Sequence, residues 1–226
     1  MILLGLDSSA VTSSCAIIEK GESIRILAQA SVNVKTTHSQ TLLPLMESVM
    51  KVSGLSFTDI DAFAVSNGPG SFTGLRIGVS AVKGMAYASS ISETKPVYGV
   101  STLLSLAHNL IGQNVIACAC MDARRGEVYN ALFEINDRTV TRLTPDRAIS
   151  ATELEAELSQ FKQEIICVGD GAHLINYPIA PEILLYQNAV SVCMAADEST
   201  TVEKLMPVYI RKPQAEREKE SQKGDK

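Results

Sequence analysis

Apolar residues recur along the chain with two different periods. "MILLGLDSS" and "SCAIIEKG" read as two strands around a polar turn, and "SIRILAQASVNV", where aliphatic and β-branched residues partly alternate with polar ones, supplies a third. From His38 the period lengthens. In "HSQTLLPLMESVMKVSG" the residues Leu42, Leu45, Met46, Val49 and Met50 fall at i, i+3, i+4, i+7 and i+8, which predicts an amphipathic helix stopped by Gly54. "DIDAFAVS" is a short buried strand, a glycine-rich loop follows, and "FTGLRIGVSAVKGMAYAS" continues as a helix up to the serine-rich break before "KPVYGVS". Ser101 then opens a short helix, "TLLSLAHNLIG".

From Asn114 the pattern starts over. "VIACACMDARRGEVYNALFEI" is a strand, an aspartate-led turn and a strand, laid out like "MILLGLDSSAVTSSCAIIE"; aligning Asp7 with Asp122 sets the halves 115 residues apart. "TVTRLTPDRAIS" is expected as a third strand, "SATELEAELSQFK" as a helix whose Ser150 and Glu153 fit a capping box, and "EIICVGDGA" as a strand. Strand, strand, strand, helix, strand thus occurs twice, which indicates duplication of one α/β unit with a shortened second copy. Strands joined by short turns pair antiparallel, and a strand reached through a helix pairs parallel, so each half should hold a mixed sheet with flanking helices. The layout is that of the ribonuclease H-like unit used twice in actin-like ATPases. The expected division is a first lobe over 1–104, a second over 105–213, and a charged, disordered tail over 214–226.

Composition narrows the function classes. Hydrophobic residues make up 46% of the 226 positions and charged residues 20%, enough for a core and too little charge for general disorder. No stretch approaches the roughly 18 apolar residues of a membrane span, and the N-terminus lacks a signal-peptide pattern, so a cytoplasmic protein is expected. The net charge of −5 and the lack of a Lys/Arg cluster with interleaved aromatics argue against an autonomous grip on nucleic acid. The five cysteines are scattered and mostly set in apolar runs, and Cys118 and Cys120 have the wrong spacing for a redox pair or zinc ribbon; buried free thiols are expected. His38, His108 and His173 stand in separate elements, so no metal site is expected.

The loop "SNGPGSFTGLRIG" invites a phosphate reading and fails it. A Walker A loop needs G-x-x-x-x-G-K-[ST], but Leu75 follows Gly74 where lysine should stand; a dinucleotide fingerprint breaks at Thr73. Backbone N–H groups near Ser71 leave weak anion binding open. Between Ser66 and Ser92 the only charges are Arg76 and Lys83, seven apart and nearly in line. Small residues at Gly74, Gly78, Ala81 and Ala88 would let another helix approach closely, and the preceding helix has a wide apolar face with Leu43 beside Leu42, Leu45 and Met46. Two readings stay open: a core helix against its own sheet, or an interface carried by Leu42, Leu45, Met46, Val49, Gly74, Ile77, Gly78, Ala81 and Met85.

Four separated motifs, "LGLDSS", "SNGPGSFTGLRIGVSAVKG", "MDARRGEVY" and "PVYIR", in this order over about residues 1–213, resemble the TsaB (YeaZ) family, whose members are needed to make threonylcarbamoyladenosine in tRNA. The resemblance implies an actin-like duplicated fold without independent catalysis. It implies a subunit supporting TsaD, the homologous transferase acting on the adenosine beside the anticodon in tRNAs that read codons beginning with adenine, with the ATPase TsaE as third member. Helices over 39–53 and 71–90 would form the bundle with TsaD, or with a second copy when the protein is alone; tRNA would be reached only indirectly, and ATP or ADP only at a shared interface. TsaD-like enzymes hold a metal through an H-x-x-x-H pair on these helices, and "KGMAYAS" has no histidine. Asp7, Ser8 and Asp122 occupy the turns where actin-like ATPases hold magnesium and phosphate, but "DSSAVTSS" has no glycine to bring backbone close to phosphate, whereas "DARRGE" has one glycine and two arginines. No catalytic residue is expected. The alternative is an actin-like ATP-dependent kinase or ATPase. A peptidase reading has little support, since Ser71 in "GPGSFTG" is not in a G-x-S-x-G setting.

Overall fold

A computed structural model describes residues 1–34, 36–89 and 94–211. Its first sheet grows from β1 (Ile2–Asp7), which pairs antiparallel with β2 (Thr12–Lys20) on one side and parallel with β4 (Ala62–Gly68) on the other. β3 (Ile24–Asn33) continues the antiparallel meander and β5 (Val97–Ser101) the parallel half, giving the order β3-β2-β1-β4-β5. This is the mixed sheet that the connection lengths predict.

Side chains of β1 alternate between two cores, as the pleat requires. Leu4 and Leu6 pack with Leu42, Met46 and Val49 of α1 (His38–Ser53) and with Val79 and Val82 of α2 (Phe72–Ala88). Leu3, with Ala16, Ile18, Ala62 and Ala64 from neighbouring strands, packs on α6 (Ala189–Ala195). Gly5 faces α6 too, where a Cβ would stand 2.3 Å from the Cys193 sulfur. α1 ends at Gly54, whose φ of 71° suits a residue without a side chain.

The second sheet repeats the plan around β6 (Gln113–Arg124), antiparallel to β7 (Glu127–Asp137) and parallel to β10 (Ile165–Val168). The expected third strand divides into β8 (Thr139–Arg142) and β9 (Arg147–Ser150), which pair with opposite ends of β7. Pro145 has no N–H for the ladder, and Thr144 Oγ1 takes the Leu132 N–H at 2.9 Å, so the chain bulges out between the two pieces. α4 (Ala151–Leu158) opens with the expected capping box, Ser150 and Glu153 bonding each other's backbone N–H.

The expected boundary at 104/105 falls inside α3 (Thr102–His108), whose Leu103, Leu106 and Ala107 join the core of the second sheet. In return α6, late in the second half, covers the free face of the first sheet. The halves therefore exchange helices. A four-residue helix, α5 (Glu182–Leu185), precedes α6. Residues 206–211 run back over the first lobe; Val208 N–H bonds to the Asn67 carbonyl at 2.7 Å. The tail expected over 214–226 lies outside the described residues. Among the described residues no helix is long and apolar enough to cross a membrane.

Candidate functional site: an interlobe cleft and a helical groove

The turn after β1 is closed on itself. Asp7 is fully buried and accepts bonds from Ser9 N–H (2.9 Å), the Ser9 hydroxyl (2.8 Å) and the Ser66 hydroxyl at the end of β4. Burial pushes the Asp7 carboxyl above the usual range, against the opposing effect of these donors. Ser8 donates its hydroxyl to the Gly74 carbonyl at 2.9 Å.

This packing corrects the expected purpose of the glycines on α2. A Cβ at Gly74 would stand 2.0 Å from the Ser8 carbonyl oxygen, and one at Gly78 2.6 Å from Ser8 Oγ and 3.1 Å from Val65 Cγ2. Both face inward, where they admit the β1–β2 turn rather than a partner helix. Gly70 does the same for Ser9, whose carbonyl also takes the Ser71 N–H at 2.7 Å; the Ser71 hydroxyl caps α2 by accepting from Gly74 N–H. Two of the N–H groups that could have met an anion are thus occupied.

Between the lobes lies a cleft of about 560 Å³, lined among others by His38, Asp122, Arg124, Tyr129, Asp170 and Arg211. Of the two aspartates that match across the repeat, Asp122 reaches this cleft and Asp7 does not. Asp122 accepts from the Arg124 backbone (2.7 Å) and side chain (3.1 Å). Arg124, Arg125 and Gly126 all have positive φ, with Arg125-Gly126 at the tip of the β6–β7 hairpin. Asp170, which sequence reasoning missed, follows β10; burial raises its pKa, Gln187 opposes this by donating a bond at 3.3 Å, and the Asp122 charge raises it further. Its signal was the polar residue just past the carboxyl end of a parallel strand, a usual place for ligand-binding groups. His38 is held on both ring nitrogens: Nε2–H donates to the Ala10 carbonyl at 2.6 Å, and Nδ1 lies 2.6 Å from Ser13 Oγ. Two carboxylates and two guanidinium groups around one cleft suit a polar ligand of mixed charge.

Beside the cleft, α1 and α2 enclose an apolar groove of about 610 Å³, with Leu42, Leu43, Phe72, Ile77 and Ala81 on its surface. The nine expected interface residues divide accordingly. Leu42, Met46, Val49, Gly74, Gly78 and Met85 are buried within their own lobe, Leu42 forming the groove floor; Leu45, Ile77 and Ala81 are half-buried. Leu43, half exposed, and Val52, 72% exposed, face outward on α1.

The charges of α2 hold the C-terminal strap. Arg76 lies 3.8 Å over the Phe72 ring and its Nε donates to Tyr209 Oη at 3.1 Å, while the Phe72 and Tyr209 rings stack at 4.8 Å. Lys83 donates to the Glu203 carbonyl at 3.4 Å, and Arg211 pairs with Glu127 across the lobes at 2.5 Å.

Residues 26–219 match the family model described as TsaD: tRNA N6-adenosine threonylcarbamoyltransferase. The chain is 36% identical over 137 residues to the tRNA threonylcarbamoyladenosine biosynthesis protein TsaB of Escherichia coli, covering 59% of this chain and 58% of that protein. It is 27% identical over 174 residues to TsaB of Bacillus subtilis, covering 77% and 73%. The match thus spans less than two thirds of the Escherichia coli relative. Among solved structures, a protein described as uncharacterized with similarity to peptidase YEAZ from Pseudomonas aeruginosa superposes with a TM-score of 0.78 at 24% identity, over 93% of this chain and 99% of that one. YeaZ from Pseudomonas aeruginosa gives 0.75, also at 24%. At that identity the likeness speaks for the shared fold.

Proposed function

Because the chain belongs to the TsaD-type threonylcarbamoyltransferase family, in its TsaB (YeaZ) branch, we propose that it takes part in threonylcarbamoyladenosine biosynthesis as a non-catalytic cytoplasmic subunit that binds and supports TsaD. The modified base would be the adenosine next to the anticodon in tRNAs reading codons that begin with adenine. The observation that carries this reading is the open apolar groove between α1 and α2, framed by outward-facing Leu43 and half-buried Ile77 and Ala81. Such a surface fits a pair of helices from a related subunit or, when the protein is alone, from a second copy. TsaE would join as third member, any nucleotide would sit at a shared interface, and tRNA would contact the partner, in keeping with the net charge of −5.

Co-expression with TsaD and size exclusion tests the reading. Leu43→Asp with Ile77→Arg is expected to abolish the complex while leaving the melting profile near that of the parent. A complex unaffected by this pair would remove the groove from the proposal. Depletion of the chain should lower threonylcarbamoyladenosine in tRNA, with rescue by the parent and not by the double variant.

The second reading, an actin-like kinase or ATPase, draws on Asp122 and Asp170 in the interlobe cleft. ATP turnover by the chain alone, lost in Asp122→Ala, would favour it over the subunit reading. A peptidase would need a free nucleophile and base, but the Ser71 hydroxyl caps α2 and the His38 ring is held by Ser13 and Ala10.

A further inference from the structure

Cys118 and Cys120 alternate on β6 and so project to the same face of the second sheet. Cys167 on β10 is the register partner of Cys118, which brings a third thiol to that face from 49 residues further along the chain. The three sulfurs lie within 4.8 Å of one another, Cys118 and Cys120 at 3.4 Å, and all three residues are fully buried. None of them lines the interlobe cleft.

From this cluster we propose a metal site: Cys118, Cys120 and Cys167 together bind one soft, thiophilic d¹⁰ cation, copper(I), in three-coordinate thiolate geometry. Metal–thiolate bonds of about 2.3 Å in a trigonal plane set sulfurs roughly 4 Å apart, within the span already present. Among the described residues the group contains no fourth donor, and the surrounding side chains are Val128, Leu132, Leu154 and Leu158. Structural zinc is almost always four-coordinate, whereas soft thiolate ligands suit copper(I).

A neighbouring network orients one amide donor toward the cluster. Asn130, fully buried, points its amide Nδ2–H toward Cys118 Sγ at 3.5 Å and the Ala119 carbonyl at 3.1 Å. Its Oδ1 accepts from Arg147 Nε and Nη2 at 3.3 and 3.1 Å, and Arg147 Nη2 also pairs with Glu157 at 2.6 Å, so the guanidinium fixes the amide with its Nδ2–H facing Cys118. Cys15 sits in the first-lobe core, outside this cluster. On binding, three copper–sulfur bonds form and each ligating thiol still protonated releases its proton to solvent, with no change of oxidation state. α4 contributes Leu154 and Leu158 to the buried cluster that holds the three cysteines.

The test is an anaerobic titration of the reduced full-length chain with copper(I) in the presence of a chromogenic copper(I) chelator. The expected result is one equivalent withdrawn from the chelator, a thiolate-to-copper charge-transfer band, and a raised melting temperature. Cys120→Ala and Cys167→Ala should each lose the band, Cys15→Ala should keep it, and Asn130→Ala should weaken binding by about tenfold. Circular dichroism identifies which variants fold, and alkylation of the parent, with and without copper(I), reads the same site without any variant. Failure of the folded parent to compete with the chelator overturns the proposal, as does an undiminished band in folded Cys120→Ala. A tetrahedral cobalt(II) spectrum from the parent would overturn the three-coordinate assignment.

Discussion

At position 74 an added methyl group meets backbone, the Ser8 carbonyl; at 78 it meets a hydroxyl that can rotate and a valine methyl; at 84 it meets nothing within 4 Å. The three glycines lie on one helix, so their alanine variants rank the inward contacts directly. Gly74→Ala should cost most and Gly78→Ala about 1–3 kcal/mol, as overpacking does. Gly84→Ala should stabilise by about 0.5–1 kcal/mol through helix propensity alone. Urea denaturation of the three variants reads the order, and equal losses at 74 and 84 would remove the close approach of the turn as its cause. Asp7 gives a pH signature. Its folded-state pKa lies above the ordinary value of 3.8, so between the two values the folded state binds more protons than the unfolded chain. The contribution is favourable at low pH and is lost as pH rises through the folded value. Asp7→Asn should therefore raise the melting temperature at neutral pH and flatten this part of the stability–pH curve, measured by scanning fluorimetry across pH.

The elements differ in how plainly the sequence announces them. α1 was legible because Leu42, Met46 and Val49 repeat at helical spacing on one buried face, and α4 because its capping box is a local signal. Ser150→Ala should cost about 1 kcal/mol, read as a lower denaturation midpoint. α6 went unseen: "AVSVCMA" is short and buried on nearly every side, so it has no polar stripe to betray its period. The interrupted third strand was read as continuous although Pro145 marked the break. The inward use of Gly74 and Gly78 was equally hidden, since small residues at helical spacing look the same whether a partner helix or the chain's own turn fills the space. Asp122 could be found by aligning the repeats. Asp170 left only the general signal of a polar residue just past a strand expected to be parallel, and the three-sulfur cluster left none, because its register depends on β10 lying beside β6.

At the scale of the whole molecule, the lobes are joined by exchanged helices and by the strap over 206–211. The Arg211–Glu127 pair is partly shielded, with side-chain exposures of 20% and 35%, and links the strap to the second sheet. Arg211→Ala should loosen the strap by on the order of 1 kcal/mol. Chymotryptic cleavage after Tyr209 should then quicken about fivefold, while an unchanged rate would mean that the Phe72–Tyr209–Arg76 stack holds the segment alone. The return of α6 to the first sheet also sets an order of events during synthesis. A ribosome delivers every strand of that sheet by Ser101, yet the helix that roofs Leu3, Ala16, Ile18, Ala62 and Ala64 is not encoded until residues 189–195. At roughly 5–20 residues per second the nascent sheet waits on the order of ten seconds with one greasy face open to water. A stop codon ahead of position 189 would make that wait permanent, and such a fragment belongs to chaperones rather than to solution.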